Sequence, residues 1–331
     1  MEYQFSQNTK KLNSLLSITY PIIQAPVGGI ATPELASSVS NTGSLGGLAL
    51  SWSDPESAQK TIEAVKAKTD NPFFVNFALN FEPIALFKSL ELGVKIIQFS
   101  WGLPNKNMID TIKSNNGIMG IQVTGEASAL KAIAIGADYL VCQGLEAGGH
   151  VHATRSLDMA LEEVLRVAKD IPVIASGGIA TGEDIHKYLT KGAAGVVMGS
   201  RFVATKESGA HPDYKKALVI SKLNDTVLTV CMNKGWDNSI HRILRNSTFN
   251  NWETHGCPKV GNRPGEYDIL GTNSLDKKIE RYSFSAPVNG VSGNIEAMTQ
   301  YAGKSIQNIN DIPSVSELIE RILKDFLTLM S

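Results

Sequence analysis

Residues 171–202, IPVIASGGIATGEDIHKYLTKGAAGVVMGSRF, constrain the fold more than any other stretch of the chain. Positions 171–175 form a short apolar run of the kind buried on both faces of a parallel sheet. Ser176, Gly177 and Gly178 follow, where backbone can approach a ligand with no Cβ atoms in the way. Thr181 is placed to cap a helix, with Asp184 three residues on as an acidic capping-box partner. Residues 194–198 make a second buried strand, ended by Gly199 and Ser200. Two neighbouring strands that end in glycine predict a phosphate cradle, in which free N–H groups point outward and a helix start adds positive potential. In an eight-fold β/α barrel, phosphate binds at this place, after strands seven and eight.

The rest of the chain supplies the other six units. Short apolar runs at 21–26, 45–50, 73–77, 94–99, 118–123 and 138–142 read as strands. Helical patterns at 33–41, 54–68, 84–92, 107–115, 126–135 and 157–169 follow them in turn. Asp54 as N-cap with Pro55 behind it, and Gly43, Gly93 and Gly136 as stops, punctuate these helices. Eight βα units predict an α/β fold, a (β/α)8 TIM barrel, over an open doubly wound sheet with fewer strands. The 331 residues are 43% hydrophobic and 19% charged, enough for a large core and unlike a disordered chain. After Phe202 the texture changes. Residues 211–285 are richer in Asn, Lys and aromatics, with helical patches at 213–221 and 239–246. They read as an inserted, mainly helical subdomain on the substrate side. The barrel would then comprise 1–210 plus 286–331, with a last amphipathic helix over 314–329.

A net charge of −1 gives no reason to expect a nucleic-acid partner. Cys142, Cys231 and Cys257 are scattered, with neither zinc spacing nor a disulfide framework, so no metal is expected. The first twenty residues lack a signal peptide's apolar segment, and no run approaches the ~18–20 residues of a membrane span. A cytoplasmic protein without a membrane partner is the expectation.

Barrel enzymes carry their sites on the loops after the strands. Here those loops hold Ala25, Pro26 and Val27, then Asn76, then Gln122, then residues 143–150, QGLEAGGH. A phosphate cradle beside amide side chains suits flavin mononucleotide (FMN). Ser176, Gly177, Gly178, Gly199 and Ser200 would take its phosphate, and the backbone of residues 25–27 would lie against the ring. Asn76 and Gln122 either bond the ring edge or are amides satisfied within the protein; the residues alone leave both open. His150 is the candidate for chemistry, because Gly148 and Gly149 free the backbone to aim its ring inward. Substrate would sit against Gly149 and His150. His152 is the alternative but lacks preceding glycines. Glu146 reads as a loop brace. His186, His211, His241 and His255 read as surface or structural.

These motifs resemble the nitronate monooxygenase family. The resemblance rests on QAPVGGIATPELASSVSNTGSLGGLAL, QGLEAGGHVH, the 171–202 stretch and the late MTQYAGKSI, and runs from about residue 15 to the C-terminus. It implies an FMN-binding barrel that oxidises alkyl nitronates with O2 to a carbonyl compound and nitrite. The family's histidine falls on His150. Its flavin contacts fall on Ala25, Pro26, Val27, Asn76, Gln122, Ser176, Gly177, Gly178, Gly199 and Ser200. The late motif falls on Tyr301, Ala302, Gly303 and Lys304, with Lys304 where the family commonly has glutamine. His150, protonated or donating, would stabilise the anion, or with a neutral nitroalkane would remove the α-proton. The implied partners are a nitronate and O2, with a homodimer left open. The same scaffold also suits a flavin-type enoyl-acyl-carrier-protein reductase, an NAD(P)H:quinone reductase, or a flavin-binding protein without catalysis.

Overall fold

The computed structural model describes residues 5–329. Its eight barrel strands are Ile22–Gln24, Gly46–Ala49, Phe73–Ala78, Ile96–Ser100, Ile118–Val123, Tyr139–Gln143, Val173–Ser176 and Gly195–Met198. All pair in parallel, in sequence order, from the second to the eighth. The first pairs with the eighth, Ile22 opposite Val196. A bridge from Ile23 to Leu45 closes the ring, and the Gln24 amide bonds both the N–H and the carbonyl of Gly47 across that seam.

The helices form where caps and periodicity place them. Pro33–Asn41, Pro55–Lys66, Lys106–Ser114 and Leu157–Ala168 each start at a side chain that accepts a first-turn N–H: Thr32, Asp54, Asn105 and Ser156. The expected capping box of Thr181 and Asp184 opens Gly182–Thr190. A second box, Ser314 with Glu317, opens Val315–Thr328. That helix buries Val315, Leu318, Ile319, Ile322, Leu323 and Phe326, one continuous face. It stands between the first and seventh barrel helices and so completes the outer ring.

Two apolar layers result. The larger lies between strands and helices. The smaller fills the barrel interior with Ile23, Phe74, Ile96, Tyr139, Ile174 and Val197, and is plugged from below by Leu12 and Leu16 of the helix Gln7–Leu16. The interior is thus packed, and a cavity opens above the carboxyl ends of the strands. No helix among the described residues is long and apolar enough to cross a membrane.

Within 211–285 the helix expected at 213–221 is present as Pro212–Ile220, and Ser247–Thr254 adds another. The helix expected at 239–246 is instead the strand His241–Leu244, which pairs with Thr226–Thr229 on one side and with Gly149–His150 on the other. Four consecutive buried residues carry no period that separates a strand from a helix, and here pairing decides. Strands Ile269–Thr272 and Lys278–Glu280 form a further hairpin, so four short strands stand beside the two helices.

Candidate active site

The loops above the barrel surround a cavity of about 590 Å3. Ala25, Pro26, Val27, Asn76, Gln122, Gly149, His150, Ser176, Gly177, Gly178, Gly199, Ser200, Tyr301 and Gly303 all line it, and Lys304, Ala302 and His152 do not. Lys304 is exposed, opens the short 3-10 turn Lys304–Asn308, and gives its N–H to the Glu146 carbonyl at 2.9 Å. Its neighbours Tyr301 and Gly303 do line the cavity, but the turn carries the lysine side chain away.

The N–H groups of Gly177, Gly178, Gly199 and Ser200 have no hydrogen-bond partner among the described residues. Gly178 sits at φ +74°, where a Cβ would also come within 3.0 Å of Glu146. The expected help from helix starts is smaller than the sequence suggested. Asp184 Oδ2 accepts the N–H groups of Ala180 and Thr181, so that helix start is closed by its own cap. The helix after Gly199 is a single turn, Ser200–Val203. The cradle is therefore made of loop amides. Ser200 Oγ accepts the Gly303 N–H at 2.9 Å, which leaves the hydroxyl proton free to donate.

Amide side chains from adjacent strands floor the cavity. Asn76 is satisfied within the protein: its Nδ2 donates to Ser100 Oγ at 3.2 Å and its Oδ1 accepts from Gln98 Nε2 at 3.1 Å. Gln122 differs, since its Nε2 is buried with no partner. The two amides that the sequence treated alike thus separate, Asn76 into a protein network and Gln122 into a group that awaits one. Gln98 and Ser100 are not marked in the sequence reading, and Gln143 enters it only as the first residue of the 143–150 loop. Each is a polar residue ending an apolar strand, and the rule that found Asn76 applies equally to them.

Gln143 positions the histidine loop. Its Nε2 donates to the His150 carbonyl at 3.1 Å, and its Oε1 accepts the His152 N–H at 2.8 Å. Glu146 is the brace expected, with Oε2 accepting the Leu157 N–H at 2.8 Å. Arg242 reaches in from the inserted segment and donates to the Leu145 carbonyl at 2.9 Å. Pairing of His150 with His241 then aims the ring.

The His150 imidazole is largely buried, stacked on Trp236 with 4.0 Å between centroids, and 5.3 Å from the Tyr301 ring. Its Nε2 is buried without a partner. Burial, with the nearby His241, pushes its pKa down to about 3, so the ring is neutral near pH 7. It offers one N–H and one lone pair, and of the two forms the sequence leaves open, protonated or donating, burial disfavours the protonated one. His241 is structural and fully buried. Its Nε2 accepts the Met232 N–H at 3.1 Å, so Nδ1 carries the proton toward the Ser239 carbonyl at 2.9 Å. His152 is exposed and stacked on Trp101, outside the cavity lining. The Tyr301 hydroxyl is spent on the Phe284 carbonyl.

Trp52, Trp101, Trp236 and Phe284 also line the cavity. Trp52 and Trp101 follow the second and fourth strands, where the barrel rule points. Trp236 and Phe284 come from the inserted segment, and no local signal marks them. None of the lining side chains among the described residues carries a formal charge at neutral pH.

The residues fit a flavin on these observations: a cradle of unpaired N–H groups, a buried amide without a partner, and a cavity of ligand-binding size. Comparison with known proteins points the same way. The nitronate monooxygenase family model matches residues 9–88 and 81–325. A nitronate monooxygenase of Pseudomonas aeruginosa is 30% identical, over 96% of this chain and 99% of its own. A Mycobacterium tuberculosis protein named (3aS,4S,5R,7aS)-5-hydroxy-7a-methyl-1-oxo-octahydro-1H-indene-4-carboxyl-CoA dehydrogenase is 29% identical over 96% of each chain. Among solved structures, FabK from Thermotoga maritima superposes with a TM-score of 0.80 at 29% identity, over 97% of this chain and 96% of its own. Nitroalkane oxidase from Streptomyces ansochromogenes gives 0.76 at 25%, over 97% and 100%. The chain belongs to the nitronate monooxygenase family and is a flavin-dependent oxidoreductase on a (β/α)8 barrel.

Proposed function

We propose that the protein holds FMN and oxidises alkyl nitronates with O2, giving a carbonyl compound and nitrite. The observation that carries this reading is one cavity that joins a cradle of unpaired N–H groups to a neutral histidine with an unpartnered Nε2. In this reading the flavin, when bound, supplies the electron-accepting and oxygen-reducing chemistry. The chain supplies the rest. Gly177, Gly178, Gly199 and Ser200 bind the phosphate through N–H groups, as an anion needs where no lining cation stands. Gln122 offers its amide to the ring edge, while Asn76 holds Gln98 and Ser100 in place. His150 orients the nitronate by donating a hydrogen bond to a nitro oxygen. The substrate in this reading is the preformed nitronate, because the burial that keeps the ring neutral also opposes its taking an α-proton from a neutral nitroalkane. Residues 211–285 form the substrate side, through Trp236 and the strand that aims His150.

The deciding experiment adds substrates without oxygen to the purified yellow protein. A change of the flavin spectrum with ethyl nitronate and none with NADH supports the reading. Bleaching by NADH with no response to nitronate overturns it. His150→Asn is expected to keep its flavin and lose on the order of 10²-fold or more in turnover. Full turnover in that variant would remove His150 from the mechanism.

A further inference from the structure

We propose that the site selects nitronates whose carbon substituent is a flat, uncharged aromatic group. The proposal rests on the nitronate reading above and adds the substrate class. Trp52, Trp101, Trp236 and Phe284 come from separate segments and converge on the mouth. Centroid distances are 5.1 Å for Trp101 to Trp236, 6.1 Å for Trp52 to Trp236, and 5.6 Å for Trp52 to Phe284. Because Trp236 also stacks on His150, the aromatic wall runs from solvent to the histidine without a break.

The backbone is shaped to hold these rings. A Cβ on Gly28 would lie 2.9 Å from the Trp52 ring, so that indole rests directly on the peptide. Gly235 is at φ +103°, and a Cβ there would lie 2.5 Å from Phe284. Trp101 itself is held at φ +60°, a conformation that bulky residues seldom adopt. Conformational cost accepted at such a place points to use of the ring. Trp52 stays 45% exposed while it lines the cavity.

Charge narrows the substituent. No lining side chain among the described residues is charged, so a carboxylate on the substituent would lose its water without gaining a partner. Aromatic boxes also hold quaternary ammonium groups, but by presenting open ring faces. Here Trp101 is covered by His152 and Trp236 by His150, and both rings meet their aromatic neighbours at steep angles. The rings already meet one another edge-to-face or tilted, the geometry in which another flat ring packs.

The test compares kcat/KM of the flavin-loaded protein on the nitronates of phenylnitromethane, cyclohexylnitromethane, nitroethane, 3-nitropropionate and 3-nitropropyltrimethylammonium. Phenyl is expected to lead cyclohexyl by roughly threefold to tenfold, and the carboxylate to fall below nitroethane. Trp52→Ala and Phe284→Leu should each bring the phenyl-to-cyclohexyl ratio toward one. A ratio near or below one in the unmodified protein overturns the proposal, as does a best substrate that carries the carboxylate or the ammonium. Calorimetric titration with acetophenone against cyclohexyl methyl ketone tests the same preference without turnover. If no nitronate is oxidised, the function reading fails alone, and this titration still decides: tighter acetophenone binding that weakens in Trp52→Ala supports the aromatic slot, and equal binding overturns it.

Discussion

Acid should destabilise this protein through two histidines that fold neutral. Burial, and for His150 the neighbouring His241, lowers the His150 pKa to about 3 from 6.5. Burial lowers that of His241 to about 4, against the opposing pull of its bond to the Ser239 carbonyl. A depressed folded pKa means that the unfolded chain takes up protons first. The stabilisation is therefore whole above about pH 6.5 and is lost as pH falls toward the folded values. Each group forfeits about 1.4 kcal/mol per pH unit once well below 6.5. Between pH 7 and pH 5 that is about 2 kcal/mol for each histidine and about 4 kcal/mol together, a large share of the ~5–15 kcal/mol that holds a domain folded. The window lies above the range in which ordinary carboxylates protonate, so the two effects separate.

Urea unfolding at pH 7, 6 and 5, on the parent protein and on His150→Gln, measures this. The parent should lose about 4 kcal/mol across the range and the variant about half of that, because His241 alone remains of the two buried histidines. Equal losses in the two proteins would refute the argument that His150 is neutral because it is buried. A His150 ring proton that titrates near 6.5 by NMR in the folded protein would do the same.

Gly178→Asp places a side chain at φ +74° and a negative charge beside the proposed phosphate cradle. Flavin occupancy after purification should fall at least about tenfold, and a fully yellow variant would remove Gly178 from the cofactor site. Gln122→Leu removes the buried amide that lacks a partner in the protein. Flavin should then bind about fivefold to tenfold more weakly by fluorescence titration, whereas unchanged affinity would leave the amide no part in binding. Gln143→Leu strips partners from the His150 carbonyl and the His152 N–H at once. It should cost roughly 2–4 kcal/mol, read as a lower unfolding midpoint, and an unmoved midpoint would show that the loop stands without the clamp.

The barrel was legible because its strands are short apolar runs that end in polar residues or glycine, and because caps such as Asp54 and Thr181 act within a few residues. The cradle was legible for the same reason, since Ser176 to Gly178 and Gly199 with Ser200 are local features. Lys304 misled because adjacency to Gly303 says nothing of where a side chain goes once a 3-10 turn begins. Asn76 and Gln122 look alike in sequence. What separates them is whether Gln98 and Ser100 stand alongside, and only the register of neighbouring strands decides that.

The histidine shows where local reasoning ends. Glycines before His150 were read as freedom to aim the ring. Gly149 does sit at φ +74°, with nothing within 4 Å of a Cβ, so its role is in the turn and not in clearance. Freedom, however, does not choose a direction. The direction comes from a strand ninety residues away, His241–Leu244, whose first residue pairs with His150 and whose second, Arg242, holds the Leu145 carbonyl. The same inserted segment brings Trp236 onto the ring and, through the buried His241, helps to keep the imidazole neutral. The barrel thus builds the cradle from neighbours in sequence, and the insertion builds the histidine's surroundings from distant ones. That division explains why the glycine-lined half of the cavity could be read residue by residue, while Trp236 and Phe284 became visible only once the chain was folded.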